Sequence, residues 1–182
     1  NGGEWIECRI LSSGSRTNPW MQESSNKIIQ EGEIVSFDTD MVGPYGYCAD
    51  ISRAFVCGNK FNEYQKKLYQ TAVEQIDYNS RLIKAGVTFK EFTEKAWILP
   101  EKYYGNRYSV MLHGIGLCDE WPAIRYPTDG GERSGTFEKN MTITLESYIG
   151  EVGGNEGVKL EQQYLVGENG LELMSHHPLE KI

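Results

Sequence analysis

Five carboxylates and one imidazole stand inside apolar runs. Asp38 and Asp40 lie in Ile-Val-Ser-Phe-Asp-Thr-Asp-Met, and Asp50 lies in Tyr-Cys-Ala-Asp-Ile-Ser-Arg-Ala-Phe. Glu146 lies in Met-Thr-Ile-Thr-Leu-Glu-Ser-Tyr-Ile, Glu161 in Val-Lys-Leu-Glu-Gln-Gln-Tyr-Leu-Val, and His113 in Val-Met-Leu-His-Gly-Ile-Gly-Leu. Charged groups are seldom buried without a partner, and an unpaired buried carboxylate is costly. Several acids converging on one sheet therefore call for a cation. Carboxylate oxygens with one histidine nitrogen suit Mn, Fe, Co or Zn. Two divalent ions carry +4, and Asp38, Asp50, Glu146 and Glu161 together carry −4, so the charges of a dinuclear site balance. Bridging carboxylates hold such ions about 3.5–4 Å apart. Taken singly, each acid also fits a strand edge or an ion pair, and a histidine beside glycines fits a structural role.

The elements that would position these groups follow from pattern. Trp5 to Leu11 reads as a strand, and Gly14 to Pro19 as a loop. Ile34 to Met41 alternates apolar residues, Gly43 to Gly46 is a turn, and Tyr47 to Val56 is a second strand, which together predict a β-hairpin. Asn62 with Gln65 opens a helix carrying Leu68, Ala72, Ile76, Leu82 and Ile83, ended by Gly86. Thr88 with Glu91 opens a second helix toward Trp97. Tyr108 to Leu117 is a strand broken at Gly114 and Gly116, Gly130-Gly131 lies in a loop, and Met141 to Ile149 and Val158 to Val166 are further strands. Strands, then helices, then strands argue for an α+β fold with an antiparallel sheet.

Composition excludes several classes. The 182 residues carry 18 basic and 26 acidic side chains, a net charge of −8, which makes nucleic acid and anionic membrane poor partners. No apolar run approaches the ~18 residues of a membrane span. The first residues, Asn1-Gly2-Gly3-Glu4-Trp5, carry no secretory signal pattern and no starting Met. Cys8, Cys48, Cys57 and Cys118 form no C-x-x-C pair, which speaks against a structural zinc site and for a reducing, cytoplasmic setting.

The motifs in order resemble the metallopeptidase-like pita-bread family, which includes methionine aminopeptidase, Xaa-Pro dipeptidases and creatinase. Asp38 matches its first strand Asp, and Asp50 its second, before Ser52-Arg53-Ala54-Phe55. His113-Gly114-Ile115-Gly116 matches its H-G-I/V-G. Glu146 matches its first Glu. Gly157-Val158-Lys159-Leu160-Glu161 matches its G-V-R-x-E strand. The resemblance covers Gly32 to Gly170 and implies a pita-bread fold, a curved antiparallel sheet flanked by helices. It also implies that the N-terminal part of that domain and a preceding domain are missing, leaving 1–182 as a C-terminal catalytic domain.

The departures carry as much information. Peptidases of the family use two further histidines, one after a Pro in the early loop and one in an H-E-x-P segment. Here Pro19 is followed by Trp20, and the second segment reads Asp119-Glu120-Trp121-Pro122. A peptidase must protonate an amine leaving group, so these losses point away from peptide hydrolysis. In these details the chain is similar to the dimethylsulfoniopropionate lyases of the DddP type. That resemblance implies Asp119 as catalytic base, Tyr108 as a positioning group, and Asp40 as an additional metal ligand beside Asp38, Asp50, His113, Glu146 and Glu161. It implies two divalent transition-metal ions, iron first, with Mn, Zn or Co fitting the same shell, and a homodimer. The implied reaction is β-elimination of a sulfonium carboxylate to dimethyl sulfide and acrylate. Aromatic faces attract such a cation, and Trp20, Tyr108 and Trp121 are the candidates. Tyr108 lies five residues before His113, so a bend or bulge is required for both to face one site. A good base titrates near working pH, so a raised Asp119 pKa is expected. A Xaa-Pro dipeptidase-like hydrolase and a non-catalytic family member are the alternatives.

Overall fold

Two antiparallel sheets carry the acidic strands toward each other. The computed structural model describes residues 2–58, 60–130 and 134–182. Its first sheet contains β1 (Trp5–Ile6), β2 (Leu11–Ser13), β3 (Ile34–Val42) and β4 (Cys48–Val56). β3 and β4 form the expected hairpin around the turn Pro44–Gly46, with Asp40 opposite Asp50 and Asp38 opposite Ser52. Alternation assigns the faces of β3: Ile34, Ser36, Asp38 and Asp40 are buried, while Phe37 and Met41 are exposed. β1 and β2 share the other edge of β3.

The second sheet has the order β6 (Ala123–Arg125), β5 (Val110–Gly114), β7 (Thr142–Gly150), β8 (Gly157–Val166), β9 (Leu171–Leu173). Glu146 on β7 is directly opposite Glu161 on β8. β4 packs against β8, so the acids of the hairpin meet those of the second sheet. Helix α1 (Glu63–Ser80) covers β7 and β8. Its buried face repeats at helical spacing through Leu68, Tyr69, Ala72 and Ile76, and its Asn62–Gln65 capping box is formed in full. The fold is α+β and of the pita-bread type, as expected.

The boundaries differ in instructive ways. The single strand expected over Trp5 to Leu11 is two short strands, because one extra residue enters between them: Ile6 pairs with Met41, but Leu11 pairs with Phe37. α1 ends at Ser80 rather than Gly86, and Leu82 and Ile83 lie in the turn that follows, Ile83 still buried in the core. α2 (Phe89–Lys95) has its Thr88–Glu91 capping box but stops short of Trp97, whose N–H is bonded by Asn79 Oδ1 at 2.9 Å. The expected strand Tyr108 to Leu117 is only Val110–Gly114, and α3 (Glu101–Tyr104), β6 and β9 were not foreseen. These are three- or four-residue elements, too short to display a period. Gly130 follows the 3-10 turn Pro127–Asp129 with φ 75, and Gly131, the rest of that expected loop, lies outside the described residues.

Candidate metal centre

Strand register brings four of the predicted groups together. Asp50, His113, Glu146 and Glu161 are all buried, and each offers a ligand atom within 4.8 Å of the others. His113 Nδ1 pairs with the carbonyl of Gly114 at 3.0 Å, which directs Nε2 at the acids. Nε2 lies 3.2 Å from Glu146 Oε1, 3.4 Å from Glu161 Oε1 and 3.6 Å from Asp50 Oδ2. A second trio, Asp40, Asp50 and Asp119, meets the same 4.8 Å limit, so Asp50 belongs to both groups. Asp38 belongs to neither: Ser52 Oγ donates to its Oδ1, and Lys159 Nζ lies 3.7 Å from its Oδ2.

The electrostatics are those of charge crowded out of water. Burial and the neighbouring acids raise the Asp38, Asp50 and Glu146 carboxyls above the usual range. Burial would lower the His113 pKa, but Glu146 and Glu161 overcome it and hold the imidazolium up to about 11. Glu161 is driven the other way: burial opposes its charge, and Lys159 and His113 prevail and lower its pKa. Buried polar atoms are almost always satisfied, yet Asp50 Oδ1, His113 Nε2 and Glu161 Oε1 have no hydrogen-bond partner. Orphaned oxygens around one orphaned imidazole nitrogen fit a divalent transition metal by donor type and by charge.

Sequence reasoning passed over two residues here. Lys159 is fully buried, with Nζ against Glu146 Oε2, 3.4 Å from Glu161 Oε2 and 2.8 Å from Ser52 Oγ. Its ammonium is held charged by Asp38, Glu146 and Glu161 against the cost of burial. The signal was present: Lys159 is two residues before Glu161 and so on the same strand face, in the place where the family motif has Arg. The other is Cys8, whose thiol donates to Asp40 Oδ2. Burial and the Asp40 carboxylate push that thiol up to about 12.

Beside the cluster is a cavity of about 310 Å³, lined by Asp38, Asp40, Asp50, Asp119, Trp20 and Tyr108 among others, at the small end of ligand sites. Trp20 stacks on Tyr108 with ring centroids 4.6 Å apart. Tyr108 precedes β5, and the β5–β6 pairing shifts register between Val110 and Leu112, which supplies the irregularity that His113 and Tyr108 required. Trp121 is not brought to this cavity: it is more than half exposed and lines a separate apolar one with Tyr47, Leu117 and Phe137. Asp119 is half-buried, accepts from Glu120 N–H at 3.0 Å through Oδ1, and has no partner at Oδ2. Burial, then the Asp40 charge, raises its carboxyl to about 6, with His113 opposing. The loop reaches the cavity because Gly114 has no Cβ; one there would strike the carbonyl of Trp121.

Fold and site together define a pita-bread protein with an acidic, histidine-bearing candidate metal centre. The sequence model of metallopeptidase family M24 matches residues 1–168, and the chain belongs to that metal-dependent family. It is 43% identical over 182 residues to a dimethylsulfoniopropionate lyase DddP of Roseovarius nubinhibens, covering 98% of this chain and 41% of that protein. It is 32% identical over 178 residues to a Xaa-Pro dipeptidase of Pyrococcus horikoshii, covering 95% of this chain and 48% of the other. Among solved structures, the prolidase of Pyrococcus furiosus superposes with a TM-score of 0.81 at 29% identity, covering 97% of this chain and 51% of that one. The chain thus spans about two-fifths to one-half of the length of these relatives. No helix among the described residues is long and apolar enough to cross a membrane.

Proposed function

We propose that the protein containing this chain is a metal-dependent lyase that cleaves dimethylsulfoniopropionate to dimethyl sulfide and acrylate. The observation that carries the reading is Asp119, a carboxylate at the wall of a small cavity with one oxygen that makes no hydrogen bond, in the segment where the peptidases of the family carry a histidine. Asp38, Asp40, Asp50, His113, Glu146 and Glu161 would hold two divalent ions, iron first, with Mn, Zn or Co as alternatives. Bound there, the ions supply positive charge that attracts the substrate carboxylate and steadies charge developing beside it. Trp20 and Tyr108 offer aromatic faces to the sulfonium. Asp119 takes a proton from the carbon next to the carboxylate. The C–H electron pair becomes the new C=C bond as the C–S bond breaks, and the sulfur leaves as neutral dimethyl sulfide with that bond's electrons. No amine is protonated, so the missing peptidase histidines are not needed. His176 and His177 lie in the C-terminal segment, where His177 packs edge-on to Phe55, and neither lines the cavity. The homodimer and the single C-terminal catalytic domain implied by the resemblance belong to the same proposal.

The test is Asp119→Asn in the intact protein. Dimethyl sulfide release should fall by about 10²–10⁴-fold, the usual worth of a general base, with metal content unchanged. Near-normal release from this variant would remove Asp119 from its role. Release of proline from a Xaa-Pro dipeptide, without dimethyl sulfide, would favour the hydrolase reading suggested by the dipeptidase relative.

A further inference from the structure

The extra residue between β1 and β2 does something particular. Glu7 N–H bonds the carbonyl of Asp40 at 2.9 Å, and Asp38 N–H bonds the carbonyl of Ile10 at 2.9 Å. Three steps along the first segment therefore match two along β3, which is a β-bulge at Cys8 and Arg9. In an unbroken strand Cys8 would follow Glu7 onto the opposite face, the outer face of Met41. The bulge instead brings Cys8 and Ile10 beside Glu7 at the acidic cavity and sends Arg9 outside. Bulges recur beside active sites because they re-aim a side chain. The side chain re-aimed here is a thiol, and it donates to one oxygen of Asp40, Oδ2.

We propose that Cys8 is a positioning residue of the candidate metal centre: its S–H holds the Asp40 carboxylate turned toward Asp50, so that the two can share an ion while Asp119 stays free as the base. A thiol is a weak donor, but a carboxylate at the cavity wall has a rotatable side chain, and a donor on one oxygen leaves the other free for an ion. The Asp40–Asp50 pair is aimed at a ligand independently of the thiol, because Asp50 is 3% exposed and its Oδ1 has no partner. Groups that orient ligands in this way typically change metal affinity by about 10–100-fold. The proposal rests on the metal-centre reading but not on the identity of the substrate.

Titration of the intact, metal-stripped protein with Co(II), followed by its visible absorption, tests it. The unaltered protein should take up two ions. Cys8→Ala should weaken the second ion by about 10–100-fold and leave the tighter one unchanged. Cys8→Ser, which restores a donor, should recover most of that loss. A merely structural Cys8 would lower the melting temperature of the metal-free variants without moving the second affinity, and equal second-ion affinity in all three proteins overturns the proposal. A sulfur-to-cobalt charge-transfer band in the unaltered protein, lost in Cys8→Ser, also overturns it, because Sγ would then be a ligand. Uptake of one ion or none defeats the two-ion reading itself, which is a separate failure from absence of lyase activity.

Discussion

Lys159 changes the charge arithmetic of the centre. Four acids and two divalent ions balance on paper, yet the proposed ligand set has five acids, and an ammonium in the same buried space, against three of them, supplies the remaining charge. It stabilises the cluster whether or not ions are bound. Removing one partner of a buried ion pair leaves an uncompensated charge, at a cost of about 3–5 kcal/mol. Lys159→Met should therefore lose about that much unfolding free energy in chelator, and clearly less with divalent metal in excess, since the ions then supply the missing charge. Denaturant titration with and without metal reads both numbers, and an equal loss in the two conditions would contradict the role. At this scale the acids and His113 were legible because charge inside an apolar strand is conspicuous. Lys159 was legible only as a residue on the face of Glu161, since its contacts depend on how β4 meets β8, and Cys8 could not be, because its direction depends on a bulge that alternation does not announce. Trp121 was misplaced for the reverse reason: closeness in sequence to Asp119 is not closeness in space when the chain turns between them.

Among the elements, the β3–β4 hairpin does the positioning. Its register sets Asp40 across from Asp50, and its length carries Ser52 to Asp38. The nine-residue β3, with its alternation, and helices with capping boxes were readable from local pattern. Three-residue strands were not, since β6 and β9 exist only because β5 and β8 offer them an edge. The segment leading into β3 is fastened by Glu33, which accepts from Lys27 Nζ at 2.5 Å and from Gln30 N–H at 2.9 Å. Burial is the largest single influence and opposes its charge, but Lys27, the Gln30 amide and Ser13 together outweigh it and lower its pKa. A carboxyl whose folded pKa lies below its unfolded value of about 4.3 stabilises the fold fully above that value. The contribution then disappears as pH falls through the folded value. Glu33→Gln should accordingly cost no more than about 1 kcal/mol at pH 7 and nothing once both states are protonated. Unfolding curves of the two proteins from pH 7 downward check it, and a difference that persists at the acid end would contradict the assignment.

For the whole molecule, the main result is where the two sheets meet. β4 against β8 converts five separate sequence motifs into one centre with a cavity beside it. The family, the fold and the acids that cluster around His113 were all legible in motif order. The partition of acids between two groups was not, because it depends on how Ser52 and Lys159 engage Asp38. The −8 charge is likewise not simply a surface property: Asp38, Asp40, Asp50, Glu146 and Glu161 are all buried. We propose that this centre serves an elimination rather than a hydrolysis. Headspace measurement of dimethyl sulfide from the intact, iron-loaded protein given dimethylsulfoniopropionate tests it most directly. Dimethyl sulfide and acrylate should appear in equal amounts, be lost on chelation and be restored by metal. Metal-loaded protein that releases neither product, while hydrolysing a Xaa-Pro dipeptide or doing nothing, would contradict the proposal.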